Sequence, residues 1–240
     1  MSTPRRSTQE ESPERPTLTI AQVYALADAT DQRYRALVLL AMFTSLRWSE
    51  LGGLRRCDID LGARTVRVTR RLAEVRGGGF AFGPPKSRAG KRVVTIPEVI
   101  IPVVQWHLTC FAEQGDEGLI FTSPAGKPLH HSNFRRRVWL PALQAAGLPA
   151  THFHDLRHTG NTLAASAGAT LRELMDRMGH DSQRAAMVYL HGSDERRHQI
   201  ADTLSKLTRD ELKRGSKRQA GQTGGKRSST QRARSRKEAS

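Results

Sequence analysis

Apolar positions near the start of the chain recur at helical spacing. Thr19-Ile20-Ala21-Gln22 has the form of a capping box, in which Thr and Gln three residues apart satisfy each other's backbone amides, so a helix opens at Ile20. Residues 32–46 are apolar nearly all round and predict a buried helix. Residues 49–54 predict a short helix broken by Gly52-Gly53. The period then falls to two. Residues 65–69 and 79–82 alternate and residues 92–96 are β-branched, which predicts a three-stranded antiparallel sheet with turns at 76–79 and 84–90. Pro97 opens a helix to about residue 113, and Leu119-Ile120-Phe121 is a short apolar run. Four helical stretches follow over 132–146, 154–167, 171–178 and 183–190. Gly168 and Gly179 act as stops, and Thr170-Leu171-Arg172-Glu173 is a second capping box. A last helix over 194–213 carries Ile200, Leu204 and Leu207 on one face. The fold class expected is mainly α with a small three-stranded antiparallel β-sheet (α+β).

The charge adds a partner to this picture. The 240 residues carry 39 Lys and Arg against 23 Asp and Glu, a formal charge of +16. Ten basic residues and one acid, Glu238, fall within residues 213–240. That Gly/Ser/Gln-rich tail has almost nothing apolar and is expected to be disordered. It reads either as a solubilising extension or as an arm for polyphosphate, and the basic remainder of the chain favours the arm. Residues 1–16 read as a loose leader and residues 17–212 as one domain. No apolar run approaches the roughly 18 residues of a membrane span, and no secretory signal opens the chain. Two distant cysteines, Cys57 and Cys110, exclude a disulfide scaffold and a four-Cys zinc site, and fit a reducing, cytoplasmic compartment.

Four groups of residues could carry chemistry. Arg47 ends an apolar helix, where a buried cation needs a partner; it reads equally as an ion pair with Glu50 or as an anion-binding guanidinium oriented by Glu50. His154 and Arg157 lie one turn apart on a helix, a proton carrier beside an anion holder. His152, His154 and His158 could instead bind a metal, but no cysteines or clustered carboxylates complete that site; His152 and His158 read as capping and surface residues. Tyr189, nine residues after His180, is by itself best read as a core aromatic. Lys86 sits on a basic hairpin tip with Arg88, Lys91 and Arg92, which by itself is a solvated turn. Gly83 to Gly90 does not have the spacing of a nucleotide-binding loop, and neither GxGxxG nor GxSxG occurs.

The order of these residues is more specific than any one of them. Arg47 with Glu50, Lys86 on a β-hairpin, His154-x-x-Arg157, Gly179-His180 and then Tyr189 resemble the catalytic domain of the tyrosine recombinases, or phage-type integrases. The flanking words Thr44-x-x-Arg47-x-x-Glu50-Leu51 and His154-Asp-Leu-Arg-His158 belong to the same resemblance, which covers about residues 18–208.

The resemblance implies a site-specific DNA recombinase in which Tyr189 attacks a phosphodiester and forms a 3′-phosphotyrosyl link. Arg47 and Arg157 would neutralise the transition state, and guanidiniums in such a role are worth about 10³–10⁵ in rate. A free phenol is ionised only about once in 10³ at neutral pH, so the nucleophile needs help, which His154 would give. Lys86 would protonate the leaving 5′-oxygen, with Lys91 as rival. His180 would bind the phosphate, Glu50 would hold Arg47, and Arg88, Lys91 and Arg92 would contact DNA. No cofactor and no metal is implied. Double-stranded DNA and further copies of the chain, four on DNA, are the expected partners, in a prokaryotic or phage setting near the nucleoid, with no membrane. Two departures stand out. Ser45 occupies a position where the family usually has Gly, and only a short leader stands where a DNA-clamping N-terminal domain is usual. The expectation is an intact active site with impaired site-specific binding. The alternatives are a non-catalytic DNA-binding remnant or regulator of a truncated integrase, and a basic structural or RNA-associated protein.

Overall fold

A computed structural model of the chain describes residues 17–75, 77–179, 182–190, 198, 201–206 and 208–209. It has two compact units, Met1–Leu190 and His191–Ser240. In the first unit, α1 (Ile20–Asp28), α2 (Gln32–Thr44) and α3 (Trp48–Leu51) precede five short strands, β1 (Ile59–Asp60), β2 (Thr65–Val68), β3 (Arg71–Glu74), β4 (Phe80–Gly83) and β5 (Arg92–Thr95). Then come α4 (Ile101–Cys110), α5 (His131–Phe134), a π-helical stretch Arg135–Trp139, α6 (Leu140–Ala145), α7 (Asp155–Ser166), α8 (Leu171–Met178) and α9 (Gln183–Met187). The architecture is mainly helical with small antiparallel sheets, as the sequence implies.

Local chemistry sets the helix ends. Thr19 and Gln22 exchange side-chain-to-amide bonds of 3.2 and 2.9 Å, and α1 starts there. Helix α2 is the centre of the molecule. Residues 36–42 are all buried, with α1 and α7 both packed on this helix, so it needs no polar face. It stops at Ser45, which takes the left-handed conformation at φ 55°, ψ 29°. The expected helix over 132–146 is continuous but widens to π winding over Arg135–Trp139, just ahead of Pro141. A proline has no N–H for the usual i→i−4 bond, and the wider turn absorbs that loss.

The sheet differs from expectation. Strand β2 pairs antiparallel with β1 and β5, placing Val66 opposite Val94. Residues 80–83 are not its third strand; they fold back on Arg71–Glu74 as a separate hairpin with Leu72 opposite Phe82. Gly77, Gly78 and Gly79 all have φ between 90° and 98°, and this left-handed turn lets β4 close on its nearest neighbour in sequence.

An aromatic cluster ties α3 to the loop before α7. Trp48 meets Phe134 at 4.9 Å and Phe153 at 5.1 Å, and Phe153 meets Trp139 at 5.2 Å. The Trp139 indole N–H donates to the Thr151 carbonyl at 2.8 Å. In the second unit, Ser205 and Thr208 hydroxyls donate to carbonyls one turn back within a helical segment, and Leu204 is exposed. Ile200, Leu207, the leader over 1–16 and the tail over 213–240 lie outside the described residues. Among the described residues, no helix is long and apolar enough to cross a membrane.

Candidate active site

Arg47 leaves the buried Leu46 in extended conformation and becomes the N-cap of α3. Its Nη1 donates to Glu50 Oε1 at 2.8 Å and its amide donates to Oε2 at 2.9 Å, while 31% of the side chain stays exposed. The two readings of Arg47 are therefore compatible: the ion pair exists, and part of the side chain stays exposed. Glu50 is 3% exposed. Burial alone would raise its pKa. The Arg92 hydrogen bonds and charge, followed by those of Arg47, outweigh burial and hold the carboxyl below its ordinary value.

Arg92 corrects the sequence reading. It is not an exposed DNA contact; its side chain is 6% exposed, and its fork grips Glu50 at 3.1 and 2.9 Å. It also donates to the Gly90 carbonyl at 3.1 Å and to the Arg177 carbonyl at 2.9 Å. The strand's own period explains this: Arg92 shares a face with the buried Val94, whereas Val93 faces outward.

Arg157 is 4% exposed. Its Nη1 donates to the Ser45 carbonyl and its Nη2 to the Met178 carbonyl, the latter at 2.6 Å. These two carbonyl bonds use two of the five guanidinium N–H groups. Burial, and then repulsion from Arg47, push its pKa down to about 9; Glu50 and Tyr189 pull the other way. It stays cationic at neutral pH. Arg177, which the sequence reading passed over, caps the same helix end. Its Nη2 donates to the Phe43 carbonyl and its Nε to Ser45 Oγ at 3.1 Å, and burial, then Arg92, push its pKa down to about 10. The available signal was its place beside the buried stripe of Leu174 and Met178 on α8.

His154 is exposed at the N-cap of α7, one turn before Arg157, whose amide donates to the His154 carbonyl at 3.1 Å. The capping role expected nearby is taken by the Asp155 carboxylate, which accepts from the His152 amide at 2.8 Å. Tyr189 follows α9, half-buried, with its ring 5.1 Å from that of His158. His158 is half-buried against this ring and is not the plain surface residue expected.

Lys86, Arg88 and Lys91 are exposed on the loop between β4 and β5. A Cβ on Gly90 would stand 2.5 Å from Pro85 Cβ, so the loop closes tightly on itself and presents Lys86 outward. A Cβ on Gly179, which ends α8 at φ 63°, would stand 2.8 Å from Arg92 Nη1 and 3.0 Å from the Ala89 carbonyl. His180 lies outside the described residues. Arg135, Arg136 and Arg137 are all exposed and were likewise passed over, although three consecutive arginines are a visible polyanion signal. Among the described residues, no three His, Cys, Asp or Glu side chains cluster as a metal site.

Residues 16–196 match the phage integrase family. The phiRv2 prophage integrase of Mycobacterium tuberculosis is 41% identical over 195 residues, covering 80% of this chain and 52% of that protein. The integrase of Mycobacterium phage D29 is 37% identical over 194 residues, covering 79% of this chain and 51% of that protein. The chain spans about half the length of the curated relatives it matches. Among solved structures, the Tn1549 transposon integrase in complex with circular intermediate DNA superposes with a TM-score of 0.69 at 23% identity, covering 81% of this chain and 68% of that one. XerA recombinase superposes at 0.61 with 22% identity, covering 84% and 66%. These likenesses establish a shared fold.

Proposed function

Because this chain belongs to the phage integrase family, we propose that it is the catalytic part of a site-specific recombinase that cuts and rejoins double-stranded DNA. Tyr189 Oη attacks the scissile phosphorus and forms the new O–P bond. The P–O5′ bond breaks, Lys86 gives its proton to the departing 5′-oxygen, and His154 receives the phenolic proton. The 5′-hydroxyl of a second strand then reverses the step. One phosphodiester replaces another, so no external energy source is consumed. Arg47 and Arg157 hold the charge that builds on the non-bridging oxygens, and His180 donates to them. Arg88 and Lys91 contact the DNA backbone, and the exposed run Arg135 to Arg137 extends that surface.

One observation carries this reading. A continuous set of hydrogen bonds runs from Arg47 through Glu50, Arg92, Arg177 and Ser45 to Arg157, and His158, next to Arg157, holds the Tyr189 ring. These contacts support a site in which the two guanidiniums and the phenol act together. Met187, Val188 and Leu190, all exposed around Tyr189, support an assembly of several copies on DNA in which a neighbour covers this segment.

The test uses a library of nicked duplexes with a randomised core, from which DNA held through denaturing detergent is recovered and sequenced. The expected result is a covalent adduct with a preferred sequence, absent in Tyr189→Phe. Binding without any adduct would leave a non-catalytic DNA-binding module, and an adduct that survives Tyr189→Phe would move the nucleophile elsewhere. Light scattering with and without the recovered DNA reads the copy number.

A further inference from the structure

Resting on the strand-exchange reading above, we propose that Arg92 is a positioning residue. It aims Arg47 at the scissile phosphate by pinning Glu50, and it locks the Lys86 loop and the end of α8 to the same carboxylate.

The argument starts from how the Glu50 oxygens are shared. Oε1 accepts from Arg47 Nη1 at 2.8 Å and from Arg92 Nη1 at 3.1 Å. Oε2 accepts from the Arg47 amide at 2.9 Å and from Arg92 Nη2 at 2.9 Å. Neither oxygen belongs to Arg47 alone. Glu50 can hold the Arg47 guanidinium in one orientation only while its own carboxylate plane is fixed, and Arg92 fixes it with a second pair of bonds. A buried carboxylate gripped by a planar fork has little rotational freedom.

The other donors of the same guanidinium reach two further segments. Nη1 also bonds the Gly90 carbonyl, which closes the Lys86 loop, and Nε bonds the Arg177 carbonyl in the last turn of α8. The next carbonyl along that turn, Met178, receives Arg157. Gly179 leaves room for this junction, since a Cβ there would collide with Arg92 Nη1 and the Ala89 carbonyl. Arg92 is therefore where the segments carrying Arg47, Lys86 and the Arg157 contact meet. Buried as it is, it acts through these groups and does not touch DNA.

Lysine is the informative replacement, because it keeps the charge and loses the fork. Adduct formation is followed in single turnover on the recovered nicked DNA, at saturating DNA, for the full chain, Arg92→Lys and Arg92→Gln. Displacing a transition-state contact by an ångström costs about 10²-fold, so Arg92→Lys is expected to cleave about 10²-fold more slowly. DNA affinity and its salt dependence are expected to be unchanged. On a methylphosphonate substrate, where one charged oxygen is absent and Arg47 matters less, the gap from wild type should shrink at least about tenfold. In an Arg47→Ala background, Arg92→Lys should cost clearly less than in the unaltered chain, the remainder being the share carried by the Lys86 loop and the end of α8.

Wild-type cleavage by Arg92→Lys overturns the proposal. So does a loss of affinity with a salt slope smaller by about 0.9, the mark of a lost phosphate contact. An equal defect on both substrates would also overturn it, as a general structural effect. Should Arg92→Lys not fold, the same readouts on Arg92→Gln decide. Failure of the unaltered chain to form any adduct is a separate result, which removes the strand-exchange reading and this one with it.

Discussion

Trp48 and Phe153 meet edge to face with ring centroids 5.1 Å apart, and each is the sequence neighbour of a proposed site residue, Arg47 and His154. The pair sets the spacing between the start of α3 and the start of α7. Phe153 is buried and also touches Phe134 and Trp139. Aromatic contacts add about 0.5–1.5 kcal/mol each beyond area burial, so Phe153→Leu is expected to lose about 1–3 kcal/mol in urea unfolding. Adduct formation should fall with it. Phe121→Leu, at a buried ring that contacts neither Trp48 nor Phe153, should cost similar stability and leave the rate of the folded protein unchanged. Equal rate losses in the two variants would disprove the link.

Gly160 is where α7 presses closest to α2: a Cβ there would stand 1.9 Å from the Met42 carbonyl oxygen and 3.1 Å from Ser45 Oγ. In an ordinary helix interior, Gly→Ala gains about 1 kcal/mol. Here the helices must part, and overpacking of this kind costs about 1–3 kcal/mol. Gly160→Ala should therefore lower the urea midpoint, against the propensity scale. It should also slow adduct formation, because separating α7 from α2 stretches the Arg157 bond to the Ser45 carbonyl. A midpoint at or above wild type would contradict the contact.

How much of this was legible in the sequence depended on the range of each interaction. Capping boxes at Thr19 and Thr170 and the stop at Gly179 act over three or four residues, and α1 and α8 begin or end where those words say. The spacing of His154 and Arg157 is also local, since one helical turn fixes it. Arg92 was readable in part: its alternation with Val94 pointed inward, but its partner Glu50 is 42 residues away and no periodicity joins them. The Arg177 bond to Ser45 spans 132 residues and left no local trace. The β3–β4 hairpin escaped because Arg-Leu-Ala-Glu has weak strand propensity, and the three-glycine turn supplied what the side chains did not.

Ser45 shows a departure from the family pattern and its compensation. At φ 55° a residue with a Cβ is strained by about 1–2 kcal/mol, a penalty that glycine avoids. The Ser45 hydroxyl offsets part of this by accepting from the half-buried Arg177 guanidinium. Ser45→Gly removes strain and hydroxyl together, whereas Ser45→Ala removes only the hydroxyl. Both should lose stability through the stranded Arg177 donor, and Ser45→Ala should be the worse by about 1 kcal/mol. Denaturant midpoints in the reverse order would show that the left-handed backbone is not the controlling feature.

His107 gives the fold a pH dependence on the mildly acidic side. Its Nε2 meets the Ile120 carbonyl at 2.9 Å, which requires the proton on Nε2. Nδ1 is buried with no hydrogen-bond partner, so a second proton there would sit uncompensated. Burial is the largest influence and lowers the folded pKa; the Ile120 bond opposes it, and the Arg33 charge reinforces it. The folded state thus binds fewer protons than the unfolded chain once pH drops below the ordinary histidine value of about 6.5. Stability contributed by neutral His107 is complete above that value, declines as pH falls through it, and levels off below the depressed folded pKa. Urea unfolding between pH 7.5 and 5 should show this decline, with His107→Gln, whose amide can still donate to Ile120, reducing its slope. In the folded protein the ring should remain neutral by NMR at a pH where a free histidine is half protonated. A His107 titration at or above the ordinary value, or an identical slope in the variant, would remove the residue from the pH response.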